Sequence, residues 1–183
     1  ATGIVLANVA SAIAQTLVVA VAAPALLRDA VVLLGAPILV GALGTLAAVR
    51  FLARNERAAP DAAFQLANPL ELKPAVLMAA AFAAVLAIAA AAGRRFGTSG
   101  VVVTAAIAGT NDVHAATLAA STLSAAGSIT TGDALLAILV AFVVNMIVKV
   151  TIVGIVGGRR LLAATAPPLV AMAAAAIATY FAL

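Results

Sequence analysis

The sequence contains no cysteine and no tryptophan, and only one tyrosine and one histidine. Without cysteine there is no disulfide framework, thiolate zinc site, iron–sulfur cluster or thiol nucleophile. A single histidine excludes a histidine-rich metal site. Because the few cations are scattered and aromatic side chains are scarce, the composition does not favour a nucleic-acid surface. Nucleic acid is therefore not an expected partner.

Charge is also scarce, since only 9% of the 183 residues are charged while 66% are hydrophobic. Soluble domains average about 25% charged and about 45–50% apolar residues. The mean hydropathy of +1.27 agrees with this contrast. The sequence therefore predicts an integral membrane protein in a lipid bilayer, and its net charge of +4 suits contact with lipid headgroups.

The charged residues divide the chain into apolar runs, several of which have the roughly 20 residues that a membrane-spanning helix needs. Alanine and leucine favour helix, and the alternating pattern of a membrane β-barrel is absent. The predicted fold class is all-α, a polytopic membrane helix bundle of about six spans. Helices are expected at 2–23, 29–53, 74–93, 97–126, 131–156 and 160–182.

The fourth predicted span differs from the others because polar residues interrupt its middle. Gly109, Thr110, Asn111, Asp112 and His114 form a cluster that tends to break a helix. The pattern predicts two half-helices that meet near Gly109.

The chain is expected to form one membrane domain over 1–183, with halves at 1–54 and 68–183 joined by a polar linker at 55–67. Segment 8–17 can be laid over 109–118, which suggests an inverted repeat of two three-helix halves. With six spans, the cations divide four against five between the two sides, so orientation stays open. The chain begins without Met and is expected to be a processed product or a fragment that lacks an N-terminal helix or domain.

Two charged residues fall well inside predicted spans, away from the span ends, where an isolated charge is costly. Asp112 lies in the fourth span and Lys149 in the fifth, so we expect them to face each other as a buried pair. Asn145 precedes Lys149 by four residues and shares its helix face. The alternatives left open are a structural salt bridge at Lys149 and a helix cap at Asn111 or Asp112.

Polar stripes at helical spacing extend this cluster. Ser11 and Gln15 follow Asn8 on the first helix, and Thr117, Ser121 and Ser124 follow His114 on the fourth. The alternative is a structural role, because hydroxyls in membrane helices often form hydrogen bonds with the preceding helical turn. The candidate transport or ion-binding residues are Asp112, His114, Asn111, Lys149, Asn145, Ser11 and Gln15.

No cofactor is expected, apart from a hard cation such as magnesium held by Asp112, Asn111 and His114 together with waters. Nucleotide-binding loops, paired catalytic carboxylates, serine triads and metalloprotease helices are missing from the sequence. We therefore do not expect an enzyme.

Four segments together resemble a known family: Asn68 to Lys73, Gly109 to Thr117, Asn145 to Lys149, and Gly157-Gly158. They are similar to the C-terminal membrane domain, of unknown function, of MgtC/SapB-related bacterial proteins. The chain departs from that pattern at His114, where a second acidic residue is expected, and it lacks the MgtC-like N-terminal domain that is associated with magnesium homeostasis. The resemblance implies a multi-pass protein of the prokaryotic cytoplasmic membrane.

Two functions fit these observations. One is a transporter of an ion or small solute that is coupled to protonation of Asp112 or His114. The other is a non-transporting membrane subunit or regulator, MgtC-like and connected with cation homeostasis, in which the polar cluster is structural. A homodimer is plausible under both, because small-residue helix faces favour close packing.

Overall fold

The computed structural model describes residues 2–53 and 72–183, and in this part of the chain every regular element is helical. The prediction of an all-α fold is confirmed for these residues. The predicted linker 55–67 lies outside them. The helices are α1 (Thr2–Ala22), α2 (Leu27–Ala53), α3 (Leu72–Phe96), α4 (Thr98–Asn111), α5 (Val113–Ala125), α6 (Thr131–Val156) and α7 (Gly158–Tyr180), with a 3-10 turn at Pro24–Leu26 before α2.

Four of the described helical segments are long and apolar enough to cross a membrane, at Thr2–Ala22, Pro24–Ala47, Thr131–Val156 and Gly158–Tyr180. Their outer faces expose large apolar side chains, such as Val21 on α1 and Ile155 on α6. Such surfaces are stable only against lipid or another apolar partner. The protein is therefore a membrane protein.

The break predicted in the fourth span is present, and it lies at Asp112. Asp112 has an extended backbone, with φ −143° and ψ 105°, between the end of α4 and the start of α5. At 14 and 13 residues, each of the two helices is too short for a span of about 20 residues.

Helices α4 and α5 fold back on each other at this break. One small void is lined jointly by both helices and by α3, through Val101, Thr104 and Ala105 of α4, Ala116, Ala119 and Ala120 of α5, and Val85 and Ala89 of α3. Two helices in line would hold Val101 and Ala120 about 28 Å apart at 1.5 Å per residue. The two helices are therefore an antiparallel hairpin with Asp112 at its tip.

The two ends of this hairpin lie together. A cavity beside Gly93 and Arg94 of α3 is also lined by Leu123 and Ser128 at the end of α5. The two half-helices predicted within 97–126 therefore lie side by side rather than in line. Two short apolar helices have the same hydropathy in line or side by side, so composition alone does not reveal the reversal.

Glycines bring the hairpin close to its neighbours on both sides. A Cβ on Gly109 would lie 2.6 Å from the Ala141 carbonyl oxygen of α6, and a Cβ on Gly100 would collide with the Ala92 backbone of α3. Backbones that approach this closely are typical of membrane helix contacts. Helix α4 is therefore fixed between α3 and α6.

Helices α4 and α6 run in the same direction. Thr98 at the start of α4 lies beside the carboxylate of Asp133 at the start of α6, and Gly109 packs on Ala141 further along. Helix α6 continues beyond the hairpin tip and ends at Val156. It therefore starts at the base of the hairpin and ends on the opposite face of the bundle.

The remaining helices alternate in direction around this unit. On α2, a Cβ at Gly41 would meet Met172 of α7 and one at Gly44 would meet Pro168, so α2 and α7 are antiparallel; Val9 of α1 also lies at Gly41. We call the face where α2 ends and α3 begins, at Ala53 and Leu72, the linker face. The opposite face, where the hairpin begins and ends, is the base face. The junction between α6 and α7 lies on the linker face.

Candidate functional site

Asp112 occupies the hairpin tip as the N-cap of α5. Its Oδ1 accepts a hydrogen bond of 2.8 Å from the His114 backbone N–H and lies 3.2 Å from His114 Nδ1. The cap satisfies one of the backbone donors that a helix start leaves without a partner. The side chains of Asp112 and His114 are 23% and 33% exposed, so both are within reach of small solutes.

His114 connects the tip to the first helix. Its Nε2 lies 3.4 Å from Ser11 Oγ of α1. With the proton on Nδ1, the ring donates to Asp112 while Nε2 accepts from the serine hydroxyl; the other tautomer reverses the Ser11 contact. The three side chains therefore form a continuous hydrogen-bonded series with the imidazole ring of His114 at its centre.

Gln15 lies one turn further along α1 and contacts the same helix α5. Thr117 Oγ1 lies 3.3 Å from Gln15 Oε1 and 2.9 Å from the Val113 carbonyl oxygen, so its single hydroxyl proton is shared between these two acceptors. Both side chains are completely buried. The polar stripes predicted on the two helices thus face each other, and α1 and α5 run in the same direction.

Lys149 does not pair with Asp112. Its Nζ donates to Asn8 Oδ1 at 2.6 Å, and Asn8 Nδ2 donates to the Ile4 carbonyl at 2.7 Å. In residues 2–53 and 72–183, the ionic contact found within 4 Å joins Asp112 to His114. The expected direct ion pair is therefore wrong, because Asn8 of α1 accepts from Lys149 while His114 of α5 contacts Asp112.

Asn145 holds the hairpin tip against α6. Its Nδ2 donates to the Gly109 carbonyl at 2.9 Å, across a buried contact. The last carbonyls of a helix have no partner within it, so this bond stabilises the end of α4. The other amide atom, Asn145 Oδ1, and the hydroxyl of Ser121 are buried with no hydrogen-bond partner in the described structure. Such an acceptor is available to a water or a polar solute.

The predicted residues therefore gather around one hairpin tip but in separate small contacts. Asp112, His114 and Ser11 are in series, and Asn111 is exposed beside them. Asn8 was predicted as part of a stripe but not as a site residue, although it is the partner of Lys149. Its three-residue spacing from Ser11 was the signal for including it.

A metal centre made of several strong ligands is not found in the described residues, where no three His, Cys, Asp or Glu side chains gather. A magnesium ion at the tip would depend on Asp112, on the Asn111 amide oxygen and on waters, which is a ligand set that magnesium accepts. That ion stays a prediction.

A comparison with protein families gives one result. The model of a domain of unknown function, DUF4010, matches residues 1–157, which include the whole hairpin and every member of the polar cluster. No curated protein and no solved structure matches the chain. The family match shows no link to MgtC/SapB-related proteins.

Proposed function

We propose that this chain, which belongs to the DUF4010 family of domains of unknown function, transports an ion or small solute across a membrane. The transport is coupled to protonation of Asp112 or His114. The observation that carries the proposal is the hydrogen-bonded series from Asp112 through His114 to Ser11, at the tip of a hairpin inside an apolar bundle. Ionisable groups are costly at that depth and commonly mark ion pathways.

The geometry supports a proton-linked change of contacts. When His114 is protonated, both ring nitrogens donate, one to Asp112 Oδ1 and the other to Ser11 Oγ. When it is neutral, one of these two contacts must reverse or weaken. A solute that binds at the tip and competes for the Asp112 carboxylate therefore changes the affinity of His114 for a proton, and the reverse also holds.

The Lys149 ammonium and the Asn145 amide oxygen are further contacts for the solute. Lys149 donates to a neutral amide, and Asn145 Oδ1 is buried without a partner. Both lie on α6, which also holds the hairpin tip through Gly109. They form polar walls beside the series, in keeping with a bacterial cytoplasmic-membrane transporter built around a broken helix.

Flux in reconstituted liposomes tests the proposal. A panel of cations and small solutes is applied with an imposed pH gradient, and internal pH is followed with a trapped dye. Asp112→Asn should abolish pH-linked flux, because asparagine still caps α5 but does not carry the charge. Asp133→Asn is the matched control, since Asp133 belongs to a capping box at the start of α6. Equal flux in wild type and Asp112→Asn would overturn the assignment.

A second candidate is a non-transporting subunit or regulator. It is favoured by one observation, namely that Asp112 and Asn145 each satisfy a helix end of the hairpin. In that case Asp112→Asn should keep both the fold and the regulatory activity, whereas Asp112→Ala should lose thermal stability through loss of the cap. The same liposome panel separates the two candidates, because a regulator shows no flux in wild type.

A further inference from the structure

The α4–α5 hairpin is too short to cross a bilayer. Helix α4 has 14 residues and α6 has 26, which correspond to about 21 Å and about 39 Å at 1.5 Å per residue. The hydrocarbon layer is about 30 Å thick. A hairpin that starts at the base face beside α6 therefore ends inside the membrane. Beyond Asn145, which contacts the tip, α6 continues to Val156 for about 16 Å more.

The tip is unsuited to lipid. Thr110 and Asn111 are exposed, and the backbone at Asp112 is extended between two helix ends. Irregular backbone at membrane depth is tolerated only when protein buries it or when it lines a water-filled cavity. The exposed polar side chains of the tip therefore require water in the space beyond the tip, away from the bodies of α4 and α5.

Between the hairpin tip and the base face, buried apolar side chains fill the space among α4, α5 and α6. Val101 and Ala105 of α4, Ala116 of α5, and Ile138 and Phe142 of α6 are all buried, with Ile138 and Phe142 fully so. This apolar layer separates the polar cluster from the base face. Water that reaches the tip must enter from the linker face.

The hairpin also changes the distribution of positive charge between the two faces. Because the chain reverses at Asp112, Arg159 and Arg160 lie on the linker face, with Arg50 at the end of α2. By sequence, the connection from α2 to α3 and the first residues of α3 add Arg54, Arg57 and Lys73. The base face has Arg28, Arg94 and Arg95. Lysine and arginine are therefore divided six to the linker face and three to the base face, whereas the six-span arrangement gave four and five.

Cytoplasmic loops carry the excess of lysine and arginine. We propose that α4 and α5 form a re-entrant hairpin, that its tip lines a water-filled vestibule open to the linker face, and that this face is cytoplasmic. The vestibule admits a hydrated ion or polar solute to Asp112 from the cytoplasm. The topology does not depend on transport, so it stands or fails separately from the proposed function.

Single cysteines test the proposal directly, because the sequence has none of its own. Ser99→Cys and Ser128→Cys place a thiol at the two ends of the hairpin, and Thr110→Cys places one at its tip; all three positions are exposed. Leu39→Cys, on an exposed apolar position of α2, is the control. Each variant is treated with a membrane-impermeant maleimide in right-side-out and in inverted vesicles.

The proposal predicts that Ser99→Cys and Ser128→Cys react in right-side-out vesicles, that Thr110→Cys reacts in inverted vesicles, and that Leu39→Cys reacts in neither. At least a tenfold difference in labelling rate between the two preparations is expected for each exposed site. Asn111→Cys replaces Thr110→Cys if the latter does not fold.

Reaction of the Ser99 and Ser128 variants from opposite faces would overturn the re-entrant hairpin. A tip that is unreactive from both faces, or reactive from the same face as Ser128, would overturn the vestibule. Labelling of every site from the face opposite to the one predicted would overturn the cytoplasmic orientation.

Discussion

Gly109 allows the hairpin to pack on α6, and replacing it with alanine should loosen that contact. An alanine Cβ would lie 2.6 Å from the Ala141 carbonyl oxygen and 2.8 Å from its Cα. Both neighbours are backbone atoms of a packed helix, so they cannot rotate away. Overpacking of this kind costs about 1–3 kcal/mol, against a gain of about 1 kcal/mol from the higher helix propensity of alanine.

Gly35→Ala is the matched control, because a Cβ there meets nothing within 4 Å. It has the same helix-propensity gain without the collision. The two variants should therefore differ by about 1–3 kcal/mol. At about 2–4 °C per kcal/mol for a chain of this size, the gap in Tm is about 2–12 °C.

The assay is thermal unfolding of detergent-purified protein, followed by the loss of the monodisperse peak in size-exclusion chromatography. Gly109→Ala should melt at a lower temperature than Gly35→Ala. The hydrogen bond from Asn145 Nδ2 to the carbonyl of residue 109 should also weaken as the helices separate. Equal melting temperatures for the two variants would refute the close approach of α4 to α6.

Three further changes test the contacts around the tip. Asn145→Leu removes the donor to the Gly109 carbonyl and should cost about 1–3 kcal/mol in the same melting assay; an unchanged melting temperature would argue against the bond. In a double-mutant cycle, Lys149→Met and Asn8→Leu should be coupled by about 0.5–3 kcal/mol, whereas additive losses would show that the 2.6 Å contact contributes nothing. Asp112→Ala should lower stability by about 0.5–2 kcal/mol through loss of the cap, while Asp112→Asn should not, and equal losses would contradict the capping role.

The sequence was sufficient to predict the helices but not their arrangement. Apolar runs rich in alanine, leucine and valine predict helices at 131–156 and 2–23, and the structure has α6 at Thr131–Val156 and α1 at Thr2–Ala22. The polar interruption near Gly109 predicts a break, which lies at Asp112. Local composition and capping chemistry determine these features, so a single sequence contains them.

The reversal at Asp112 and the partner of Lys149 depend on contacts between distant helices. Hydropathy is the same whether α4 and α5 are in line or folded back, and a charge pair is only one way to satisfy an ammonium. Asn8 satisfies it instead, across 141 positions of sequence. The inverted repeat and the homodimer stay predictions, since the contacts of one copy do not test them. The six spans are also untested, and the re-entrant hairpin proposed above would leave five of them.

The distance between the two ends of the hairpin tests the central claim most directly. Spin labels on Ser99→Cys and Ser128→Cys can be measured by double electron–electron resonance in a reconstituted bilayer. Packed antiparallel helices lie about 8–10 Å apart, so the account predicts a label distance within about 20 Å. Two half-helices in line across the membrane would give about 40 Å at 1.5 Å per residue, and that result would contradict it.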